Sequence, residues 1–311
     1  MRALLCPASL KGVLSASAAA AALARGLAGS EATELPVADG GEGTAEAFEA
    51  ALGGAWQEAP VHDPLGRPHT ARWLLLPDGR AVVEAAAAIG LPLLAPEERD
   101  PLAASSRGLG ELVAAALASS PSSLVVALGG SATVDGGAGL LEVVRELPLP
   151  TVALCDVDVH LGAAARLFGP QKGASENDVV VLERRLAARA ELRPYAALPG
   201  AGAAGGLGAA LALLGAELAT GAATVLDLLG FDERLRHHDL VVTGEGRVDR
   251  TTLVGKAPGE VARRAGASGV RCVVFGGRVD TEVPGAETVA LSGDPARAER
   301  DLVELGRRLA A

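Results

Sequence analysis

A chain of 311 residues exceeds the usual size of one hydrophobic core, so two domains are expected. Its apolar content of 49% includes only 2% aromatic residues, which leaves Ala, Val and Leu to build the interior. A formal net charge of −10, from 28 basic and 38 acidic residues, argues against a general nucleic-acid or anionic-membrane surface and leaves a small anionic substrate open.

In chain order, residues 2–6 read as a short buried strand, and Ser15 or Ser17 caps a helix that ends at Gly26 to Gly29. "TELPVAD" is a second strand, and Thr44 to Leu52 a second helix. Residues 55–85 carry strand-like runs separated by "DPLG" and "PDG", the pattern of antiparallel hairpins. After Pro101 a βα alternation resumes: helix 108–118, strand "SLVVALGG", a glycine loop, helix 139–146, strand "TVALCD" and a charged helix around 178–193. Strand "DLVVTGEG", helix 257–266, strands "RCVVFGG" and "ETVAL" and a last helix from Pro295 follow. Short apolar strands between helices indicate a parallel, doubly wound sheet with ligands at the strands' carboxyl ends. No internal repeat, low-complexity tail or clean linker is read.

Cys6, Cys155 and Cys272 sit in apolar runs without a CxxC pair, as reduced buried thiols of a cytosolic protein do. The five histidines show no zinc spacing. Pro7 and Lys11 cut the N-terminal apolar run below a secretory h-region of about 7–15 residues. No apolar run approaches the roughly 20 residues of a membrane span. A soluble, cytoplasmic chain without membrane or nucleic-acid partners is expected.

Strand after strand ends in glycine plus a charged or hydroxyl group: "PVADGGEGT", "VVALGGSATVDGGAG", "ALCDVD" and "VVTGEGRVD". Singly, each is a tight βα turn in which Gly supplies positive φ and Ser or Asp caps a helix. Together, four loops deliver carboxylates to the edge where ligands bind. The first turn is itself acidic, through Asp39, Glu42 and Glu46, and would repel a bare phosphate unless a cation stood between. No GxxxxGK[ST] motif exists, because Gly255-Lys256 is followed by Ala257. "GAGAAG" from Gly200 to Gly205 matches GxGxxG but does not follow a strand, although it opens the apolar helix Leu207–Leu214. Lysine occurs only at 11, 172 and 256, each beside glycine, as point charges near an anion would be.

The ordered set "PASLKGVLSA", "VADGGEGT", "DPLGRP", "LGGSATVDGGAG", "FGPQKGA", "PGAGAAGGLGAAL", "DLVVTGEGRVD" and "GKAPGEVA" resembles the bacterial glycerate kinase family, over nearly all of the chain to about Gly277. The resemblance implies two α/β domains, one doubly wound and Rossmann-like and one mixed with hairpins, with the active site in the cleft between them. On this reading residues 1–54, 105–160 and 232–311 form the first domain, and 55–104 and 161–231 the second. It implies transfer of the ATP γ-phosphoryl group to D-glycerate with Mg²⁺, giving 2-phosphoglycerate; a homodimer stays open. Asp39 is then the metal-bridging or hydroxyl-orienting carboxylate, with Gly40 and Gly41 allowing close approach and Glu42 as partner or first-turn helix acid. Lys11 meets the substrate carboxylate or the transferring phosphate. Arg247 binds phosphate or the glycerate carboxylate, and Asp249 is a second metal ligand or base; the alternative is an Arg–Asp pair bracing the loop. Gly129, Gly130, Ser131, Thr133 and Asp135 fall to the nucleotide phosphates, with Lys172, Gly205, Gly206, Glu245 and Lys256 as further phosphate or substrate candidates. Asp156 holds metal or caps a helix.

The chain departs from the family pattern at Ala8, which replaces an acid, at Val134, at Val159-His160, at Ala201 and at Thr251, and a segment between Leu141 and Thr151 is shortened. Two rival readings remain: a non-catalytic nucleotide or hydroxy-acid sensor, and, on GAGAAG alone, an NAD-linked oxidoreductase.

Overall fold

A computed structural model describes residues 1–155 and 157–311. In chain order its strands are β1 (Arg2–Pro7), β2 (Glu31–Glu34), β3 (Ala55–His62), β4 (Pro68–Leu75), β5 (Arg80–Glu84), β6 (Ser123–Ala127), β7 (Thr151–Cys155), β8 (Glu217–Thr220), β9 (Leu240–Val248), β10 (Arg271–Val279) and β11 (Glu287–Ala290). Two compact units result: unit 1 comprises Met1–Asp39, Glu46–Gly53 and Ala222–Ala311, and unit 2 comprises Gly40–Ala45 and Gly54–Gly221. Among the described residues no helix is long and apolar enough to cross a membrane.

Unit 1 holds an all-parallel sheet in the order β11-β10-β9-β1-β2. Numbered within the unit, that is the doubly wound order 2-1-3-4-5, whose switch point lies between β1 and β9. The central strands are buried on both faces, which explains their unbroken apolar runs. One face, with Leu5, Val242 and Phe275, packs against Leu23 and Leu302 of helices Ala16–Gly26 and Ala298–Ala310. Helix Ala257–Ala267 packs on β9 and β10. Ser15, not Ser17, caps the first helix, its hydroxyl accepting from Ala18 N at 3.1 Å. The expected strand "TELPVAD" is regular only as far as Glu34, because Pro36 has no N–H to give. Leu35 N and Val37 N still donate to Leu5 O and Pro7 O at 2.8 and 3.0 Å, and this extended stretch carries the chain to Asp39.

Unit 2 has a mixed sheet, β3-β4-β5-β6-β7-β8. Its first three strands pair antiparallel, as the hairpin pattern predicts, and β5 to β8 pair parallel. The "DPLG" turn is closed by Asp63, whose Oδ1 accepts from Leu65 N and Arg67 N, both at 2.8 Å. One core cluster joins Trp73, Val83, Val126 and Leu112; a second gathers Val134, Leu161, Leu186 and Leu192. The units are drawn differently from the expected division: residues 40–45 and 54 fall in unit 2, and so do 105–160, because β6 hydrogen-bonds β5 and continues the sheet begun by the hairpins. Residues 222–231 likewise fall in unit 1.

Local differences have local causes. The charged helix runs Glu176–Ala188 from a Ser175 cap and gives way to a 3₁₀ turn, Ala190–Tyr195, that contains Pro194. The helix expected at 139–146 is Ala138–Val143. Helices Ala85–Ile89, Ala164–Phe168, Gly221–Leu228 and Phe231–Leu235, and strand β8, were not expected; all are short.

Candidate functional site

A hollow of about 760 Å³ opens in unit 1 at the carboxyl ends of β1, β9, β10 and β11, across the switch point. Lys11, Asp39, Glu245, Arg247, Asp249 and Lys256 all line it. Lys11 owes its place to a closed loop after β1: Leu10 and Leu14 exchange backbone hydrogen bonds of 2.9 and 3.0 Å. Gly12, at φ +74°, makes the reversal, so buried Leu10 anchors the loop while Lys11 stays exposed. A Cβ on Gly246 would meet only the backbone of Leu10 and Lys11, at 3.7 and 3.9 Å, so the end of β9 runs beside this loop. Asp39, half-buried, has no hydrogen bond among the described residues.

The remaining charges are partnered. Glu245 accepts from Thr252 Oγ1 at 2.7 Å and from Lys256 Nζ at 3.0 Å, so the Lys256 ammonium is matched. Asp249 caps the turn Arg250–Leu253: its Oδ1 accepts from Thr251 N at 2.8 Å and Thr251 Oγ1 at 2.6 Å, and these bonds hold its carboxyl below the usual range. The Arg247–Asp249 pair is loose, at 3.8 Å. Arg247 Nε instead donates to Asp280 Oδ2 at 2.6 Å, and that hydrogen bond raises the guanidinium's pKa. Asp301 accepts from Ser292 N and Oγ beside the start of the last helix.

The other sequence candidates gather in unit 2. The acidic turn divides after Asp39: Gly40, at φ +89°, gives its carbonyl to Gly129 N at 3.2 Å. Gly41 accepts from Thr44 Oγ1 at 2.7 Å, and a Cβ on Gly130 would lie 4.0 Å from Glu42 Cβ. Lys172 is buried; its Nζ donates to Thr133 O at 2.7 Å and Ser131 Oγ at 3.1 Å. Thr133 Oγ1 is buried without a hydrogen-bond partner among the described residues. Asp135 is turned inward, accepting from Ser106 N and Oγ at 2.8 and 2.7 Å and from Gly137 N and Gly139 N. Gly205 and Gly206 lie in the left-handed region at φ +70° and +97°, and a Cβ on Gly205 would come 2.2 Å from Thr133 O. These glycines therefore let two backbones touch before the helix begins. Asp156 lies outside the described residues.

Four charged residues at the unit 1 site escape the sequence reading: Arg278, Asp280, Asp294 and Asp301. A signal for the first two existed. Gly-Arg-Val-Asp occurs twice, at 246–249 and 277–280.

The family model described as the glycerate kinase family matches residues 3–145 and 145–293. Its break falls where the chain is expected to be shortened. The glycerate 2-kinase of Escherichia coli (strain K12) is 40% identical, over 85% of this chain and 82% of its own. A glycerate kinase of Bacillus subtilis (strain 168) is 37% identical, over 91% and 86%. A crystal structure of a protein assigned as glycerate kinase 2 from Salmonella typhimurium LT2 superposes with a TM-score of 0.88 at 33% identity, covering 100% of this chain and 97% of that one.

Proposed function

The chain belongs to the glycerate kinase family, and we propose that it transfers the γ-phosphoryl group of ATP to D-glycerate with Mg²⁺, giving 2-phosphoglycerate in the cytoplasm. The observation that carries the reading is that Lys11, Asp39, Arg247 and Asp249, from turns far apart in the chain, line one hollow at the switch point of a parallel sheet. The regiochemistry follows the E. coli relative's description as a 2-kinase.

Phosphoryl transfer asks a protein chiefly for positioning and charge neutralisation. Asp39 is suited to orient the substrate hydroxyl and accept its proton, because no other hydrogen bond among the described residues engages its carboxylate. Lys11, on its loop tip, supplies positive charge to the transferring phosphate. Asp249 is a poor base: the Thr251 bonds that depress its pKa keep it ionised and weakly proton-accepting. It serves better as a fixed negative charge.

No group of three or more His, Cys, Asp or Glu forms a metal cage among the described residues. Mg²⁺ does not need one, since one or two carboxylates, water and substrate phosphates usually hold it. Asp39 and Asp249 Oδ2 fit that requirement. When bound, the ion neutralises the phosphate oxygens on which charge develops. In unit 2, Thr133 Oγ1 and the Gly129–Gly130 turn are the candidates to meet nucleotide phosphates, and Lys172 braces that loop through Thr133 O and Ser131 Oγ.

A coupled assay for ADP release with glycerate, ATP and Mg²⁺ tests the proposal, with phosphorus NMR assigning the product. Glycerate-dependent ADP release yielding 2-phosphoglycerate is expected. Nucleotide binding without turnover overturns the kinase reading in favour of a sensor.

A further inference from the structure

The repeated Gly-Arg-Val-Asp strings stand on adjacent parallel strands in one register, Arg247 opposite Arg278 and Val248 opposite Val279. Register partners on neighbouring strands lie about 4.8 Å apart and point to the same side of the sheet. Two guanidinium groups are therefore held side by side, an arrangement that repulsion disfavours unless something compensates.

Asp280 is the compensating group. Its Oδ2 accepts from Arg247 Nε at 2.6 Å and its Oδ1 from Arg278 Nε at 2.7 Å. One carboxylate thus takes a single Nε from each arginine. Neither arginine uses its Nη nitrogens in a hydrogen bond among the described residues, although both side chains are well exposed, at 59% and 70%. Both arginines line the hollow, and Asp280 is not among its lining residues. The backbones are close here: a Cβ on Gly277 would sit 2.8 Å from Gly246 O, so glycine at the head of each string lets the two arms start from neighbouring points. Glu245 matches the Lys256 charge, and Asp249 Oδ2 stands only loosely beside Arg247, 3.8 Å from its Nε, so the Nη nitrogens of both arginines are left for an anion in the hollow.

We propose that Arg247 and Arg278 form a two-armed clamp for one oxyanion group, a carboxylate or a phosphate, and that Asp280 is the positioning residue holding both arms. The clamp rests on the kinase reading only for the identity of its ligand: the carboxylate of glycerate or a phosphate of ATP. Four outward Nη donors match the forked acceptors of either group.

The test compares Arg278→Ala, Arg278→Lys and Asp280→Asn in the full chain, measuring kcat and the two KM values. Arg278→Ala is expected to raise one KM by about 10- to 100-fold while the other changes less than about two-fold. A rise for glycerate assigns the clamp to the carboxylate, and a rise for ATP assigns it to a phosphate. Arg278→Lys keeps the charge, loses the fork and recovers only part of the affinity. Asp280→Asn raises the same KM, and the Arg278→Ala/Asp280→Asn double variant is less impaired than the two effects combined. Unchanged KM values in correctly folded Arg278→Ala or Arg278→Lys overturn the clamp. A lower Tm in Asp280→Asn without a KM shift overturns the positioning role. If the parent chain shows no glycerate-dependent turnover, the kinase reading fails separately. Calorimetry with glycerate, ATP and inorganic phosphate then judges the clamp: binding that Arg278→Ala loses upholds it, and equal binding, or none by the parent, overturns it.

Discussion

Lys172 offers a direct test of what its buried ammonium does. Only 4% of the residue is exposed, and Nζ donates to Thr133 O at 2.7 Å and Ser131 Oγ at 3.1 Å. Lys172→Met keeps the length and most of the volume of the stem, so the packing cost is small. Two charge-assisted hydrogen bonds disappear, worth about 1.5–3 kcal/mol each, and the desolvation of a buried ammonium is relieved in the opposite direction. A net loss of about 2–4 kcal/mol follows. A body of 150–250 residues loses roughly 2–4 °C for each kcal/mol, so the unfolding midpoint should fall by about 5–15 °C. The protein has two tryptophans, Trp56 and Trp73, and both lie in unit 2 with Lys172, so their fluorescence during urea unfolding reports on that unit alone. A stability change below about 0.5 kcal/mol, with a large rise in the KM for ATP, refutes the bracing role and puts the ammonium on the nucleotide.

Asp39→Asn should lower kcat by about 10²- to 10⁴-fold with circular dichroism unchanged, and retained turnover removes Asp39 from the mechanism. Gly205→Ala forces a side chain into φ +70° and against Thr133 O, and should cost at least about 2 kcal/mol in the tryptophan-monitored transition; a loss below about 1 kcal/mol contradicts the close approach. Asp280 is held below the ordinary carboxylate range by Arg278 and Arg247. A depressed folded-state pKa gives stability that is present above about pH 4 and lost as pH falls through the folded value, so Asp280→Asn should flatten the acid limb of a calorimetric pH series below pH 4. Burial raises the Cys6 thiol and pushes that of Cys272 up to about 12. A thiol reagent at pH 8 should therefore find both unreactive in the native chain, while Cys6, Cys155 and Cys272 all react after denaturation.

Much of the fold is legible because its signals are local. The apolar runs at 2–6, 240–243 and 272–275 are strands because both faces are covered, and "DPLG" and "PDG" close hairpins through side-chain and glycine chemistry that travels with the turn. What is not legible is partnership across the chain. Strand "SLVVA" suits a parallel sheet of either unit, and only its pairing with β5 settles which. Short pieces such as Ala164–Phe168 and Glu217–Thr220 show too few periods of any pattern to be distinguished from loop.

The site divides the same way. Glycine next to a charged residue marks a strand end, and that mark is enough to single out Lys11, Asp39, Arg247 and Asp249. It does not separate a carboxylate that faces a hollow from one that braces a loop. Asp39 and Asp135 look alike in sequence, each followed by two glycines. Yet Asp135 is consumed by Ser106 and two backbone amides, whereas Asp39 has no hydrogen-bond partner among the described residues. The two Gly-Arg-Val-Asp strings make the converse case. Identical residues at equivalent strand ends take different work, because the backbone turns differently after each: Asp249 folds back onto Thr251, and Asp280 reaches across to both arginines. A carboxylate's partners, set by where the next few residues lead the chain, decide whether it is available for chemistry.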